Sequence, residues 1–259
     1  IKANNDNKRT IKSSKTLGRC LCIITGASKG FGRSLVPYIL QAGSVVLLVA
    51  RSGLLLEELK TDLENLTVPL GLVVNCVSAD LGTAEGVAKT LEARLKSSLS
   101  FLICQSILSF FIASLGAISQ FCSFTDPAQV NAYISFNVSS ALALTAGVLQ
   151  ALPQRPGRKR TVVNVSSVFA HKPLPRWVLY CTAKAARDMM FKVLAEEETD
   201  LKVLSYSPGP MDTEMQEEIF RQMGVRHELM PCQKSGAKLL NLVLDGDFPS
   251  GAHIDFFDL

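Results

Sequence analysis

Tyr180 and Lys184 lie four residues apart in Tyr180-Cys181-Thr182-Ala183-Lys184, a spacing that sets both on one face of a helix. A phenol titrates near ~10 and is a poor proton source or sink at neutral pH unless nearby positive charge lowers that value. A lysine one turn further on supplies such charge. The spacing alone is common on helix surfaces, so its neighbours matter. Thirteen residues before the tyrosine, Asn164-Val165-Ser166-Ser167 closes an apolar, β-rich run. Ser167 can there hold a carbonyl oxygen while Tyr180 gives it a proton, the work of a general acid in a carbonyl reduction. Ser166 reads as a hydrogen-bonded strand end.

A second constellation precedes it. The run Thr25-Gly26-Ala27-Ser28-Lys29-Gly30-Phe31-Gly32 follows an apolar strand and opens a helical stretch. Gly26, Gly30 and Gly32 suit a backbone that turns tightly and approaches a pyrophosphate. The helix N-terminus behind them offers free N–H groups and the positive end of its dipole. The next strand ends in Ala50-Arg51-Ser52, where NAD-binding folds place an acid on the ribose 2′-hydroxyl. Arg51, with Lys29 in the turn, supplies cations for a 2′-phosphate instead, so NADP(H) is the expected cofactor. Asp80 and Leu81 follow the third strand. Asp80 is expected either to accept a bond from the adenine amino group or to cap the next helix.

These residues need a scaffold that gathers strand ends on one edge. Short apolar runs alternate with longer helical stretches, the rhythm of βαβ units on a parallel sheet. Strands are expected at Cys20–Thr25, Ser44–Ala50, Leu72–Val77, about Leu99–Cys104, Thr161–Val165, Val203–Ser207 and Ala252–Phe256. Helices are expected over 31–42, 53–66, 83–97, 127–151, 177–198 and 233–244. The fold class is therefore a single α/β domain, Rossmann-type and doubly wound, with a mainly parallel seven-stranded sheet covered by helices on both faces. Its span is 17–259, behind a disordered basic tail at 1–16.

Composition narrows the function classes. Of 259 residues, 47% are hydrophobic and 19% charged, which suits a buried core. The net charge of +4 sits in the leader, where Lys2, Lys8, Arg9, Lys12, Lys15 and Arg19 face only Asp6. The body is near neutral, so nucleic acid is not an expected partner. The leader also lacks the apolar stretch of a secretory signal. Seven cysteines show no CxxC pair and no metal spacing, and a reducing, cytoplasmic setting fits. His171 and His253 read as ordinary surface or loop histidines, and no metal is expected. Phe101–Ile118 is 18 residues without a charge, close to a membrane span in length. Gln105, Ser106, Ser109 and Ser114 interrupt it between βαβ units, so a buried strand with an irregular apolar extension is the better reading, and no membrane is expected.

Taken in order and spacing, TGASKGFG, NVSS, YCTAK and Ser207-Pro208-Gly209-Pro210-Met211-Asp212-Thr213 resemble the short-chain dehydrogenase/reductase family over about residues 17–259. The resemblance implies that Ser167 orients a carbonyl, that Tyr180 is the general acid, and that Lys184 lowers its pKa and binds the nicotinamide ribose. It also implies that Asn137 supports the lysine and a proton-relay water. Pro208, Gly209, Met211 and Thr213 would border the nicotinamide end. Within the family, YCTAKAARDMMF, SPGPMDTEMQ and SGAHIDFFD resemble the homodimeric branch that reduces the side-chain carbonyl of a pterin. Asp255 would there accept the paired N–H donors of the pterin's amino-pyrimidinone edge. One departure stands out: the family's fourth strand ends in Asn-Asn-Ala-Gly, whereas Leu102–Leu108 holds no such run and none occurs between 99 and 120. Ile107, Phe110 and Phe111 are expected to crowd the nicotinamide pocket. Two alternatives therefore stay open, a broad-specificity NADPH carbonyl reductase and a catalytically impaired NADP-binding protein.

Overall fold

The computed structural model of the chain describes residues 20–42, 44–69, 71–96, 106–111, 114–226 and 228–258. Its strands are β1 (Cys20–Thr25), β2 (Ser44–Ala50), β3 (Val74–Ser78), β4 (Ser106–Phe111), β5 (Lys159–Val165), β6 (Leu201–Ser207) and β7 (Ala252–Asp255). They form one parallel sheet in the order β3-β2-β1-β4-β5-β6-β7. Every strand therefore ends on the same edge, and the chain reverses its direction of travel between β1 and β4. In open α/β sheets that switch point opens the crevice where ligands bind.

Helices α1 (Gly30–Gln41), α2 (Gly53–Asp62), α3 (Glu64–Thr67), α4 (Ala84–Lys96), α5 (Pro127–Ile134), α6 (Ser140–Ala151), α7 (Val178–Glu197), α8 (Glu214–Met223) and α9 (Cys232–Asp245) cover the faces. Strand alternation divides the core in two. Cys20, Cys22 and Ile24 join Leu35, Ile39 and Leu239 on one face, whereas Leu21 and Ile23 join Leu144, Val148 and Phe191 on the other. Cys20 and Cys22 are thus small core residues on one face, and no described cysteine is in a disulfide.

Three expectations need correction. The fourth strand was placed about seven residues early: β4 is Ser106–Phe111, with Ser106 opposite both Cys20 and Lys159. A long charge-free run carries no turn signal, so only pairing with β1 and β5 sets its register. The stretch 99–104 and the basic leader lie outside the described residues. The helix expected over 53–66 is broken at Leu63 into α2 and α3. Helix α8 was not anticipated, because the Pro- and Gly-rich lead-in reads as loop; Thr213 precedes it and Gly224, at φ +70°, ends it.

The helical run Pro127–Ala151 is the one described helix long and apolar enough to cross a membrane. Its inner side, including Leu144, Thr145 and Val148, is buried against this fold. The run is interrupted by a π-helical turn at Ser135–Ser139, which carries Asn137. Such turns occur often at functional positions.

The β3–α4 turn depends on Gly86, where a Cβ would lie 1.8 Å from the Asp80 carbonyl oxygen. That carbonyl already accepts bonds from the backbone and hydroxyl of Thr83. Gly86→Ala must therefore push the turn away from the sheet. We expect a loss of roughly 1–3 kcal/mol, as for an overpacked core, read as a lower urea midpoint. An unchanged midpoint would mean that the turn yields freely.

Candidate active site

The glycine turn follows β1, and both Gly26 and Gly30 have positive φ, at 63° and 52°. A side chain at Gly30 would be strained by its backbone and would meet Thr213, whose methyl lies 3.3 Å from the Cβ position. The turn and the loop after β6 thus lie against each other, and only a residue without a side chain fits at Gly30. Phe31 and Gly32 are buried in the first turn of α1, and Ser28 is half-buried in the glycine turn. Lys29 is exposed and pairs with Glu214 at 2.8 Å, joining the turn to the start of α8. Arg51 follows β2, exposed, with its guanidinium 5.5 Å from the Phe136 ring centroid. Asp80 Oδ1 accepts from the Gly82 backbone at 2.9 Å in a turn that precedes α4, whereas Thr83 Oγ1 accepts from the Gly86 backbone at 3.0 Å, so Thr83 and not Asp80 caps that helix; Leu81 is half-buried.

On the other side of the switch point, Ser167 ends the β5 segment and Tyr180 opens the first turn of α7. The Ser167 hydroxyl is near enough to the Tyr180 phenol to favour its ionised form. Two hydroxyls thus converge where a carbonyl oxygen can accept from both. Lys184 lies one turn along, its ammonium 5.4 Å from the Tyr180 ring centroid and 2.7 Å from the Val165 carbonyl oxygen. The lysine is 4% exposed, and burial, with the Arg187 guanidinium beside it, pushes its pKa well below the usual value. Burial likewise raises the Tyr180 phenol, with the Ser167 hydroxyl opposing it in part. A raised phenol stays protonated at neutral pH, although it is a weaker acid than a free one.

Asn137 is 1% exposed; its Oδ1 accepts from the Ser114 backbone at 2.8 Å and its Nδ2 donates to the Tyr133 carbonyl at 3.0 Å. Tyr133 donates to the Leu115 carbonyl at 3.0 Å. These bonds tether the stretch that follows β4. Strand β4 ends at Phe111, and no Asn-Asn-Ala-Gly run follows it in the sequence up to 120. Ile107 and Phe110 are opposite Leu21 and Ile24, and Phe111 is opposite Asn164. The side chains of Ile107, Phe110 and Phe111 lie outside the described residues.

Sequence reasoning missed the support beneath these groups. Arg187, 2% exposed, donates through Nε to Asn164 Oδ1 at 2.9 Å, and its pKa is lowered to about 10, chiefly by burial. Asp188 accepts from Asn164 at 2.8 Å, from Ser166 at 2.5 Å and from His253 at 2.6 Å. Burial works against its charge, yet the His253 and Ser166 bonds outweigh it and hold its pKa below the usual value. One signal was available: Arg187 and Asp188 follow Lys184 by three and four residues, on the same inward face. Nothing in the sequence paired them with His171 and His253. His253 is a half-buried strand residue bonded to Ser207 at 2.7 Å, so its reading as a surface or loop histidine is corrected, whereas His171 is exposed in the turn after Val168–Ala170.

Pro208, Gly209 and Met211 continue from β6 beside this site, and Met211 is buried in a bridge to Met230. Asp255 ends β7 opposite Ser207 and is 9% exposed, with Oδ1 accepting from the Phe257 backbone at 2.9 Å. All the sequence-predicted site residues outside the π turn thus lie at or just beyond the carboxyl edge.

The model of the short chain dehydrogenase family matches residues 21–224. Sepiapterin reductase of Rattus norvegicus is 42% identical over 259 residues, covering 94% of this chain and 98% of the rat protein. That of Xenopus tropicalis is 44% identical, covering 93% and 98%. A short chain dehydrogenase from Shigella flexneri, solved with NADP, superposes with a TM-score of 0.79 at 20% identity over 94% of this chain and 99% of that one, a likeness of fold. With its parallel sheet, its glycine turn and its serine, tyrosine and lysine gathered at one edge, this chain belongs to the short-chain dehydrogenase family.

Proposed function

We propose that the chain is an NADPH-dependent oxidoreductase that reduces the side-chain carbonyl of a pterin, such as sepiapterin or 6-pyruvoyl-tetrahydropterin, in tetrahydrobiopterin synthesis. The observation that carries this reading is Asp255, a buried carboxylate at the sheet edge in a chain similar to sepiapterin reductases over nearly its whole length. NADPH, when bound, supplies the hydride. The chain's own residues do the rest. Ser167 and Tyr180 hold the carbonyl oxygen, and Tyr180 gives it the proton as negative charge develops there. Lys184, one turn along α7, faces the tyrosine ring. The primary test is NADPH oxidation by the purified chain with sepiapterin. Turnover of simple diketones but not sepiapterin would favour the broad carbonyl reductase. NADPH binding without turnover of either would favour an impaired variant, the reading that the missing Asn-Asn-Ala-Gly run supports.

Lys29 is engaged by Glu214, so Arg51 is the stronger candidate for the 2′-phosphate. Arg51→Asp should invert the preference for NADPH over NADH, with NADPH affinity falling by about 10–100-fold, as for a lost charge-assisted contact. A selectivity ratio that does not move would return the phosphate to Lys29.

A homodimer, in a cytoplasmic setting, belongs to the same proposal. Leu142 on α6 is 55% exposed, and Met189 and Val193 on α7 are 62% and 47% exposed. The two helices present a shared apolar face that a second copy would cover. Leu142→Glu with Val193→Glu should halve the mass measured by light scattering. A parent chain that is already monomeric would remove the dimer.

A further inference from the structure

His171, Asp188 and His253 come from three separated stretches: the end of the short helix Val168–Ala170, the middle of α7, and β7. Their side chains converge on one point. His253 Nδ1 lies 2.6 Å from Asp188 Oδ2, His171 Nε2 lies 3.1 Å from the same oxygen, and the two ring nitrogens are 3.1 Å apart. We infer that these three side chains form a binding site for a divalent transition-metal ion of the zinc class, with solvent completing the coordination.

Geometry supports this first. A zinc ion bonds nitrogen and carboxylate oxygen at about 2.0–2.2 Å, and a triangle with sides this short lets one ion touch all three corners. Two imidazoles and one carboxylate also suit a borderline ion such as Zn²⁺ or Co²⁺, whereas Ca²⁺ and Mg²⁺ prefer an all-oxygen set.

The atoms behind the ligands are arranged in the same sense. His253 contacts Ser207 Oγ at 2.7 Å through Nε2, so that nitrogen can keep a proton while a metal ion displaces the one Nδ1 shares with Asp188. The second oxygen of Asp188 is held by Asn164 at 2.8 Å and Ser166 at 2.5 Å. Metal-binding histidines and carboxylates are oriented by such outer bonds. Access is open as well, since the His171 side chain is 45% exposed while that of Asp188 is only 3%. Fixed ligands thus lie on the protein side, with an entry path on the other.

The site stands apart from the reducing hydroxyls yet adjoins their supports. Ser166 precedes Ser167, Asp188 follows Lys184 by one turn, and His253 is two residues from Asp255. A bound ion would tie α7 to β7 at the substrate edge, and so should stabilise the folded chain.

The test uses the full chain, free of any histidine tag, stripped with chelator and titrated with Co²⁺ without NADP(H). We expect one equivalent to bind, with the visible bands of low-coordinate Co²⁺ bound by nitrogen and oxygen, no thiolate charge-transfer band, and displacement by Zn²⁺. His171→Ala, at an exposed position, should keep the parent's circular dichroism and lose the visible bands. Ser207→Ala should weaken binding by about 10–100-fold, as for other outer partners of metal ligands. The unfolding temperature should rise with Zn²⁺ in the parent and not in His171→Ala. Failure to bind one equivalent, a thiolate band, or equal affinity in His171→Ala would each overturn the site.

Discussion

Tyr180→Phe should lower turnover with sepiapterin by roughly 100-fold or more, the usual worth of a positioned general acid, while NADPH binding is retained. The substitution keeps the ring that packs edge-on against Trp177, with centroids 5.4 Å apart, and removes only the hydroxyl that faces Ser167. Folding should therefore be little changed. The pH dependence follows from the same geometry. Burial raises the phenol's pKa above its ordinary value. A donor must carry its proton, so reduction should hold level through neutral pH and fall only above about 10. Lys184 fits a positioning role here: its ammonium is itself disfavoured by burial and bonds the Val165 carbonyl. Turnover unchanged in Tyr180→Phe would remove the tyrosine from the mechanism, and an alkaline limb starting near neutrality would contradict the raised phenol.

The second large effect is expected at Asp255, which separates a pterin reductase from a general carbonyl reductase. Its Oδ1 accepts from the Phe257 backbone, and that N–H would orient an asparagine. In Asp255→Asn the amide oxygen turns toward Phe257, so its NH₂ takes the other position. A pterin's amino-pyrimidinone edge would then meet a donor where it needs an acceptor. A buried mismatch of this kind costs on the order of 1–3 kcal/mol. Catalytic efficiency with sepiapterin should fall by roughly 10-fold to a few hundred-fold, while a small diketone is reduced almost as before. Equal losses on both substrates would show that Asp255 serves only to hold the β7 end through Phe257. No loss on either would end its role as the pterin anchor.

The sequence by itself determined what local chemistry can determine. A strand running into a glycine turn and a helix requires a nucleotide-sized slot, because positive φ and close backbone approach leave few alternatives to glycine. The four-residue step from Tyr180 to Lys184 puts them on one helix face wherever that helix goes. Alternating apolar runs and helical stretches specify a parallel sheet, whose strands end along one edge. Tertiary structure decided the rest, for reasons of distance along the chain. Strand β4 lies in an apolar run without punctuation, so its register came from pairing with β1 and β5. Lys29 reads locally as a lone cation, and only the tertiary structure brings Glu214, 185 residues away, to 2.8 Å from it. The pKa of a tyrosine four residues from a lysine reads as lowered, but burial, a property of the whole core, reverses the sign. Nothing local joins His171, Asp188 and His253, because their meeting depends on β7 closing the sheet beside β6. Short-range spacing fixes which groups share a face, and only packing decides which faces meet and how much water remains between them.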